Sequence, residues 1–203
     1  MISTDSKKLR YRDEAAPVQA VQLQEEFTRL LGLFEQARPQ RVLEIGVLEG
    51  GTLYQWLSRM DPGGLVVAVD LPGARWGHSW TWNPERWKGW GEALGMRVEP
   101  VLGDVNDDHI VEQVRGHAPF DYIFVDGDHR YEPVKETWER YNPMLRSGGL
   151  FVLHDILPHA INPRVEVYRL WAELQGNPRV RQRVELISYD GQAEMGIGVL
   201  WLS

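Results

Sequence analysis

Two short stretches concentrate groups that can move protons or hold a cation: Asp126-Gly127-Asp128-His129 and His154-Asp155. Imidazole titrates near neutrality, so His129 or His154, with Asp126 beside them, could take a proton from a substrate hydroxyl. The same set offers Asp126, His154 and Asp155 as ligands for Mg²⁺ or another divalent cation, which would lower the hydroxyl pKa and orient it. The plainer alternative is that His154 and Asp155 cap backbone groups. A second set has the residue types that hold a ligand. Glu44-Ile45-Gly46 leads into Gly50-Gly51, where glycine lets backbone come close to a ligand and the following helix offers free N–H groups. Asp70 follows about 20 residues beyond Gly50, and a carboxylate there can accept both ribose hydroxyls of an unphosphorylated adenosine ligand. Gly103-Asp104 repeats the pattern further on.

Such groups act together only if the chain brings them to one edge. The spacing of apolar residues predicts how it does so. RVLEIG (41–46), LVVAVD (65–70), MRVEPVLGD (96–104), FDYIFVDGDH (120–129) and LFVLHD (150–155) read as buried strands. Helical patterns are predicted over Pro17–Ala37, 52–60, from about Pro84, over 106–117, 132–145 and Pro163–Leu174. Asn106 reads as a helix cap, and Ser147-Gly148-Gly149 as a helix breaker. RVELISY (183–189) and MGIGVLWL (195–202) have no helix between them and read as an antiparallel hairpin joined by a DGQ-type turn. Strands alternating with helices give an α/β fold, a doubly wound, mostly parallel sheet of seven strands. In such a sheet ligands bind beyond the carboxyl ends of the strands. Each of the first five strands ends in a carboxylate. Helix capping explains any one of these acids more easily than all five.

Composition narrows the class. The 203 residues are 43% apolar and 25% charged, which suits one globular domain, residues 17–203, preceded by a flexible polar arm over 1–16. No apolar run reaches the roughly 18 residues of a membrane span, and MISTDSKKLRYRDEAA lacks an apolar signal core, so a soluble cytoplasmic protein is expected. Absence of cysteine excludes disulfides, thiolate metal sites and cysteine nucleophiles. The net charge of −7 makes nucleic acid a poor partner. Nine tryptophans are present, and Trp76, Trp80, Trp82, Trp87 and Trp90 fall in one segment. Their rings could cover adenine or stack on a flat substrate, or equally form a satellite core or a dimer contact in a homo-oligomer.

The loop Glu44–Gly51 resembles the first motif of class I S-adenosylmethionine-dependent methyltransferases, with Leu48 at the usual middle glycine. FDYIFVDGDHRYEPVKETWERYNPMLRSGGLFVLHDI (120–156) is similar to the fourth and fifth motif region of a subgroup whose strands end in DGDH and HD. Macrocin-type sugar O-methyltransferases and, more distantly, cephalosporin-hydroxylase-like proteins belong there. With Asp70, the resemblance covers roughly residues 40–156. It implies a Rossmann-like domain that binds S-adenosylmethionine through Glu44, Gly46, Gly50, Gly51, Asp70, Gly103, Asp104 and Asp126. It also implies methyl transfer to a hydroxyl of a small molecule, with Asp126, His129 and His154 catalytic and a cation on Asp126, His154 and Asp155. The missing GxGxxG disfavours an NAD-dependent oxidoreductase, which Asp70 alone supports. A non-catalytic cofactor-binding module would not need the DGDH and HD clusters.

Overall fold

The computed structural model describes residues 10–73, 83–160, 162–188 and 195–203. In chain order the elements are α1 (Gln24–Ala37), β1 (Arg41–Ile45), α2 (Gly51–Leu57), β2 (Leu65–Asp70), α3 (Pro84–Ala93), β3 (Arg97–Leu102), α4 (Asp108–Arg115), β4 (Phe120–Val125), α5 (Tyr131–Tyr141), β5 (Leu145–His154), α6 (Val167–Glu173), β6 (Val180–Leu186) and β7 (Ile197–Leu202). They form one seven-stranded sheet in the order β3-β2-β1-β4-β5-β7-β6. The pairs among β1 to β5 are parallel, while β7 runs antiparallel to both β5 and β6. This is the doubly wound sheet with a C-terminal antiparallel pair that the strand pattern predicts. Residues 189–194, which hold the expected DGQ turn, lie outside the described residues.

Strand alternation divides the core between the two faces. Leu43, Ile45, Val67, Val69, Ile123, Phe151 and Leu153 point to one layer, with side chains from α4, α5 and α6. Val42, Val66, Ala68, Tyr122, Phe124 and Val152 point to the other, against Phe27 and Phe34 of α1, Trp56 of α2 and Trp87 of α3. Because parallel strands buried on both faces need apolar residues throughout, LVVAVD is legible as β2 to the residue. No helix among the described residues is long and apolar enough to cross a membrane.

Several boundaries differ from the periodicity; β6, for example, spans Val180–Leu186 rather than 183–189, and α6 starts at Val167 rather than Pro163. Helix α1 starts at Gln24 rather than Pro17, because Arg10 bridges Leu23 and the Tyr11 N–H donates to the Gln22 carbonyl at 2.8 Å. That pairing keeps residues 17–23 out of the helix. Of the polar N-terminal stretch, residues 1–9 lie outside the described residues; Tyr11 is buried edge-on against Phe27 with centroids 4.9 Å apart, and its hydroxyl donates to Gln55 at 3.0 Å. Ser147-Gly148-Gly149 lies inside β5, not between helix and strand. Phe120 pairs with Leu145 and Tyr122 with Leu150, so the glycines absorb a bulge.

Candidate active site

The chain runs from β1 outward to β3 and then crosses back to β4, which places the switch in strand order between β1 and β4. Ligand crevices form at this point. The registers Ile45↔Val69, Ile45↔Val125 and Val125↔Leu153 align the strand ends, so Gly46, Asp70, Asp126 and His154 emerge along one edge. Gly46 has φ +87°, and a Cβ there would lie 2.2 Å from the Asp126 carbonyl oxygen. Only glycine lets the two strand ends touch in this way.

On the β1–β2 side, backbone geometry dominates. Asp70 Oδ2 accepts the N–H groups of Val47 at 2.9 Å and Leu48 at 2.6 Å, and Oδ1 accepts that of Leu71 at 2.7 Å. A carboxylate offers about four acceptor sites, so roughly one remains for a ribose hydroxyl, not the two that the sequence reading assigns. Leu48, at the position where glycine is usual, has φ +59°. The left-handed backbone of the motif is therefore kept without its glycine, and Asp70 holds it in place. Gly50 faces Trp87, whose indole N–H donates to the Glu49 carbonyl at 3.2 Å; the Arg86 guanidinium donates to the same oxygen at 2.8 Å and lies over Trp90. Trp87 is fully buried and Trp90 meets Tyr54 edge-on. These two members of the tryptophan segment pack against the glycine loop, whereas Trp76, Trp80 and Trp82 lie outside the described residues.

The other residues expected at the cofactor also make contacts within the protein. Glu44 is fully buried in the apolar layer with Val42 and Phe124 on the same strand face; burial, then Asp126 and Asp70, push its carboxyl well above the usual range. Gly51 packs against the Gln19 carbonyl, and Gly103 against Ile110. Asp104 is exposed and accepts the Asn106 N–H at 3.0 Å. Asn106 caps no helix: its amide donates to the Pro133 carbonyl at 3.1 Å and accepts from Thr137, tying the β3–α4 loop to α5.

On the β4–β5 side, side-chain charge dominates. His129 Nε2 lies 3.2 Å from Asp126 Oδ1, and its Nδ1 lies 2.7 Å from Asp155 Oδ2. With a carboxylate at each ring nitrogen, His129 holds a proton. Burial opposes this, but the two carboxylates outweigh it and carry the pKa to about 9. His154 is only 3% exposed, with Nδ1 3.1 Å from Asp126 Oδ1 and 3.3 Å from Asp155 Oδ1. Neither contact has hydrogen-bond direction, and both ring nitrogens lack a hydrogen-bond partner among the described residues. The short distances nevertheless set the electrostatics, and the two acids raise its pKa well above the ordinary value against the pull of burial. Asp126 and Asp155 are conversely held below the usual carboxylate range by the imidazoles, despite burial. Asp155 takes φ +60°, an uncommon conformation for a non-glycine residue, at the end of the HD pair. Asp128 turns away to pair with Arg130.

Two residues escape a reading of motifs. His159, beyond β5, places Nε2 3.3 Å from Asp155 Oδ1. Gln22, just before α1, donates its amide to Asp126 Oδ2 at 2.8 Å. His159 could have been flagged as a histidine four residues past the HD pair; Gln22 carried no local signal.

One ligand atom each from Asp126, His129 and His154 falls within 4.8 Å of the others. The set thus fits a divalent cation in position and donor type, with one carboxylate and two imidazoles. Imidazole donors suit a borderline metal better than they suit Mg²⁺.

A doubly wound sheet with a glycine loop at its switch point, an acid ending β2 and a terminal antiparallel pair defines a Rossmann-like domain of the methyltransferase class. A family model for a methyltransferase domain matches residues 43–156, more than half of the chain, and the chain belongs to that family. Demethylmacrocin O-methyltransferase of Streptomyces fradiae is 29% identical over 124 residues, 57% of this chain but 27% of that protein, so the chain matches only a minor part of its length. Among solved structures, the O-methyltransferase TomG of Streptomyces achromogenes, involved in tomaymycin synthesis and crystallised with SAM, superposes with a TM-score of 0.68 at 20% identity over 98% of this chain and 93% of that one. The MycE methyltransferase of the mycinamycin biosynthetic pathway, solved with Mg and SAH, gives 0.61 at 20% identity over 86% and 49%.

Proposed function

We propose that this chain transfers the methyl group of S-adenosylmethionine to a hydroxyl of a small molecule of sugar or natural-product type. The observation that carries the reading is contiguity. The glycine loop meets Asp126 through Gly46, and Asp126 in turn meets His129 and His154. A cofactor lying along the β1–β2 side would thus present its methyl group to the proton-handling cluster. The family match and the relatives that are O-methyltransferases support the same reading. So does the net charge of −7, which disfavours a polyanionic acceptor.

Methyl transfer from a sulfonium is an in-line displacement. The acceptor oxygen forms a bond to the methyl carbon as the carbon–sulfur bond breaks, and S-adenosylhomocysteine leaves. The hydroxyl proton must go to a base. We assign this role to His129 in its neutral form, reached when Nε2 gives up the proton that it shares with Asp126; Asp155 at Nδ1 orients the ring, and turnover is expected to rise as the pH approaches about 9. Holding the three reacting atoms in line supplies much of the acceleration. A divalent cation held by Asp126 and His154, with Asp155 completing the set, would polarise the hydroxyl and ease its proton loss. Gly46, Gly50, Gly51 and Asp70 are assigned to the cofactor, with Gly103 and Asp104 toward its adenine. Glu44 is sealed in the core, so its part is to shape the end of β1 rather than to touch the cofactor.

The test is ligand linkage. S-adenosylmethionine and S-adenosylhomocysteine are expected to raise the melting temperature, and NAD to leave it unchanged. Stabilisation by NAD alone would replace methyl transfer with hydride transfer. Turnover that survives chelation would remove the cation and leave His129 in place.

A further inference from the structure

Gln22 lies upstream of the residues that the methyltransferase family matches, yet its side chain reaches the centre of the site. It is 1% exposed. Its backbone is pinned, since the Tyr11 N–H donates to its carbonyl at 2.8 Å. Its side-chain NH₂ donates to Asp126 Oδ2 at 2.8 Å. An ionised carboxylate can only accept, so the NH₂ must face Asp126, and the amide oxygen is the atom left over. That oxygen, Oε1, is buried and has no partner among the described residues. Buried acceptors are nearly always paired in native proteins, so an orphan on a side chain bonded to Asp126, at the strand-end edge, points to a contact that a ligand completes.

The surroundings define the ligand's chemistry. Oε1 can only accept. Beside it stands Asp126, an anion whose other oxygen already faces His129 and His154. Next to Asp126 is Gly46, where the two strand ends touch. A carboxylate would be repelled here, and an apolar group would leave the oxygen unpaired. A cationic group with several N–H donors meets every requirement.

We propose that Gln22 is a cofactor-binding residue whose Oε1 accepts a hydrogen bond from the ammonium group of the methionine portion of S-adenosylmethionine, while its NH₂ fixes Asp126. The proposal rests on the methyltransferase reading above. Gln22 thus joins the cofactor's charged end to the carboxylate that serves the acceptor, and the segment before α1 becomes part of the cofactor site.

Calorimetric titration of two nucleosides separates this role from a structural one. S-adenosylhomocysteine carries the ammonium; methylthioadenosine keeps the adenosine and thioether but lacks the amino-acid part. Gln22→Met preserves side-chain length and removes both polar atoms. It is expected to weaken S-adenosylhomocysteine about tenfold or more, as for a lost hydrogen bond to a charged group, and to leave methylthioadenosine within about twofold. Gln22→Asn, which withdraws the oxygen while keeping an amide, gives the same pattern and serves if the methionine variant folds poorly. Equal losses for both nucleosides, or no loss for either, overturn the assignment. A fall in Mg²⁺ affinity with S-adenosylhomocysteine binding intact also overturns it and gives the oxygen to a cation. Failure of the unaltered protein to bind either nucleoside overturns the methyltransferase reading, whereas binding that both variants leave intact overturns the Gln22 assignment alone.

Discussion

The two halves of the strand-end edge are built on different principles. Along β1 and β2, shape comes from backbone: a left-handed Leu48, a glycine touching Asp126, and an Asp70 carboxylate that accepts three backbone N–H groups. Along β4 and β5, the groups that matter are ionisable and touch each other: Asp126, His129, His154, Asp155 and His159. The first half has fixed dipoles and few charge states, which suits holding a ligand. The second has shared protons and competing acids, which suits moving a proton. A methyl transfer needs both, meeting at one atom group, and they meet at Asp126. Perturbing the two sides should therefore separate binding from turnover.

The largest effect is expected at Asp155. Asp155→Asn keeps the shape and removes the charge that orients His129 and faces His154 and His159. Turnover is expected to fall by about 10²- to 10⁴-fold, the usual range for a lost acid–base arrangement, with S-adenosylhomocysteine affinity nearly unchanged. Steady-state kinetics with an identified acceptor provide the check; a variant that turns over normally would place the proton transfer elsewhere.

The next effect is on stability against pH, measured on metal-free protein. His129 has a folded pKa of about 9 against an ordinary 6.5. Its stabilising contribution is therefore complete below pH 6.5 and lost as the pH rises to about 9. The shift corresponds to up to about 3 kcal/mol. Thermal melts of the wild type and His129→Gln should differ most near pH 6 and converge near pH 9. A gap that stays constant across this window would show that the two carboxylates do not hold a proton on His129.

The smallest effect belongs to the quieter side. Leu48→Gly removes the cost of a left-handed leucine and adds freedom to the unfolded chain, so stability should change by less than about 1 kcal/mol. S-adenosylhomocysteine affinity should stay the same. A much larger loss by denaturant unfolding would mean that the Leu48 side chain, not its backbone angle, is what the loop needs.

Much of this division is legible in the sequence, because strand ends are local. LVVAVD ends where β2 ends, and the DGDH and HD pairs fall at neighbouring strand ends as their order implies. What escapes is contact across distance. Gln22 reaches a carboxylate 104 residues away, and nothing around it marks the bond. The start of α1 is set by Arg10 and Tyr11, whose pairing no helical period encodes. Asn106 has the residue type and position of a cap, yet α5 offers it better partners. Glu44 reads as a ligand contact because it adjoins Gly46, but strand alternation turns its side chain into the core. Trp87 and Trp90 leave a lid and a satellite core equally open in the sequence, and only the packing of α3 against Gly50 and Tyr54 shows where they sit.

The separation of the two halves is tested most directly by titrating S-adenosylhomocysteine into the unaltered protein, Asp70→Ala and Asp155→Asn side by side. Asp70→Ala is expected to weaken binding about tenfold or more, through the lost ribose contact and a loosened Leu48 turn, and Asp155→Asn by no more than about twofold. Stronger loss at Asp155 than at Asp70 would contradict the division, and would move the cofactor's anchoring from the backbone-built side to the ionisable one.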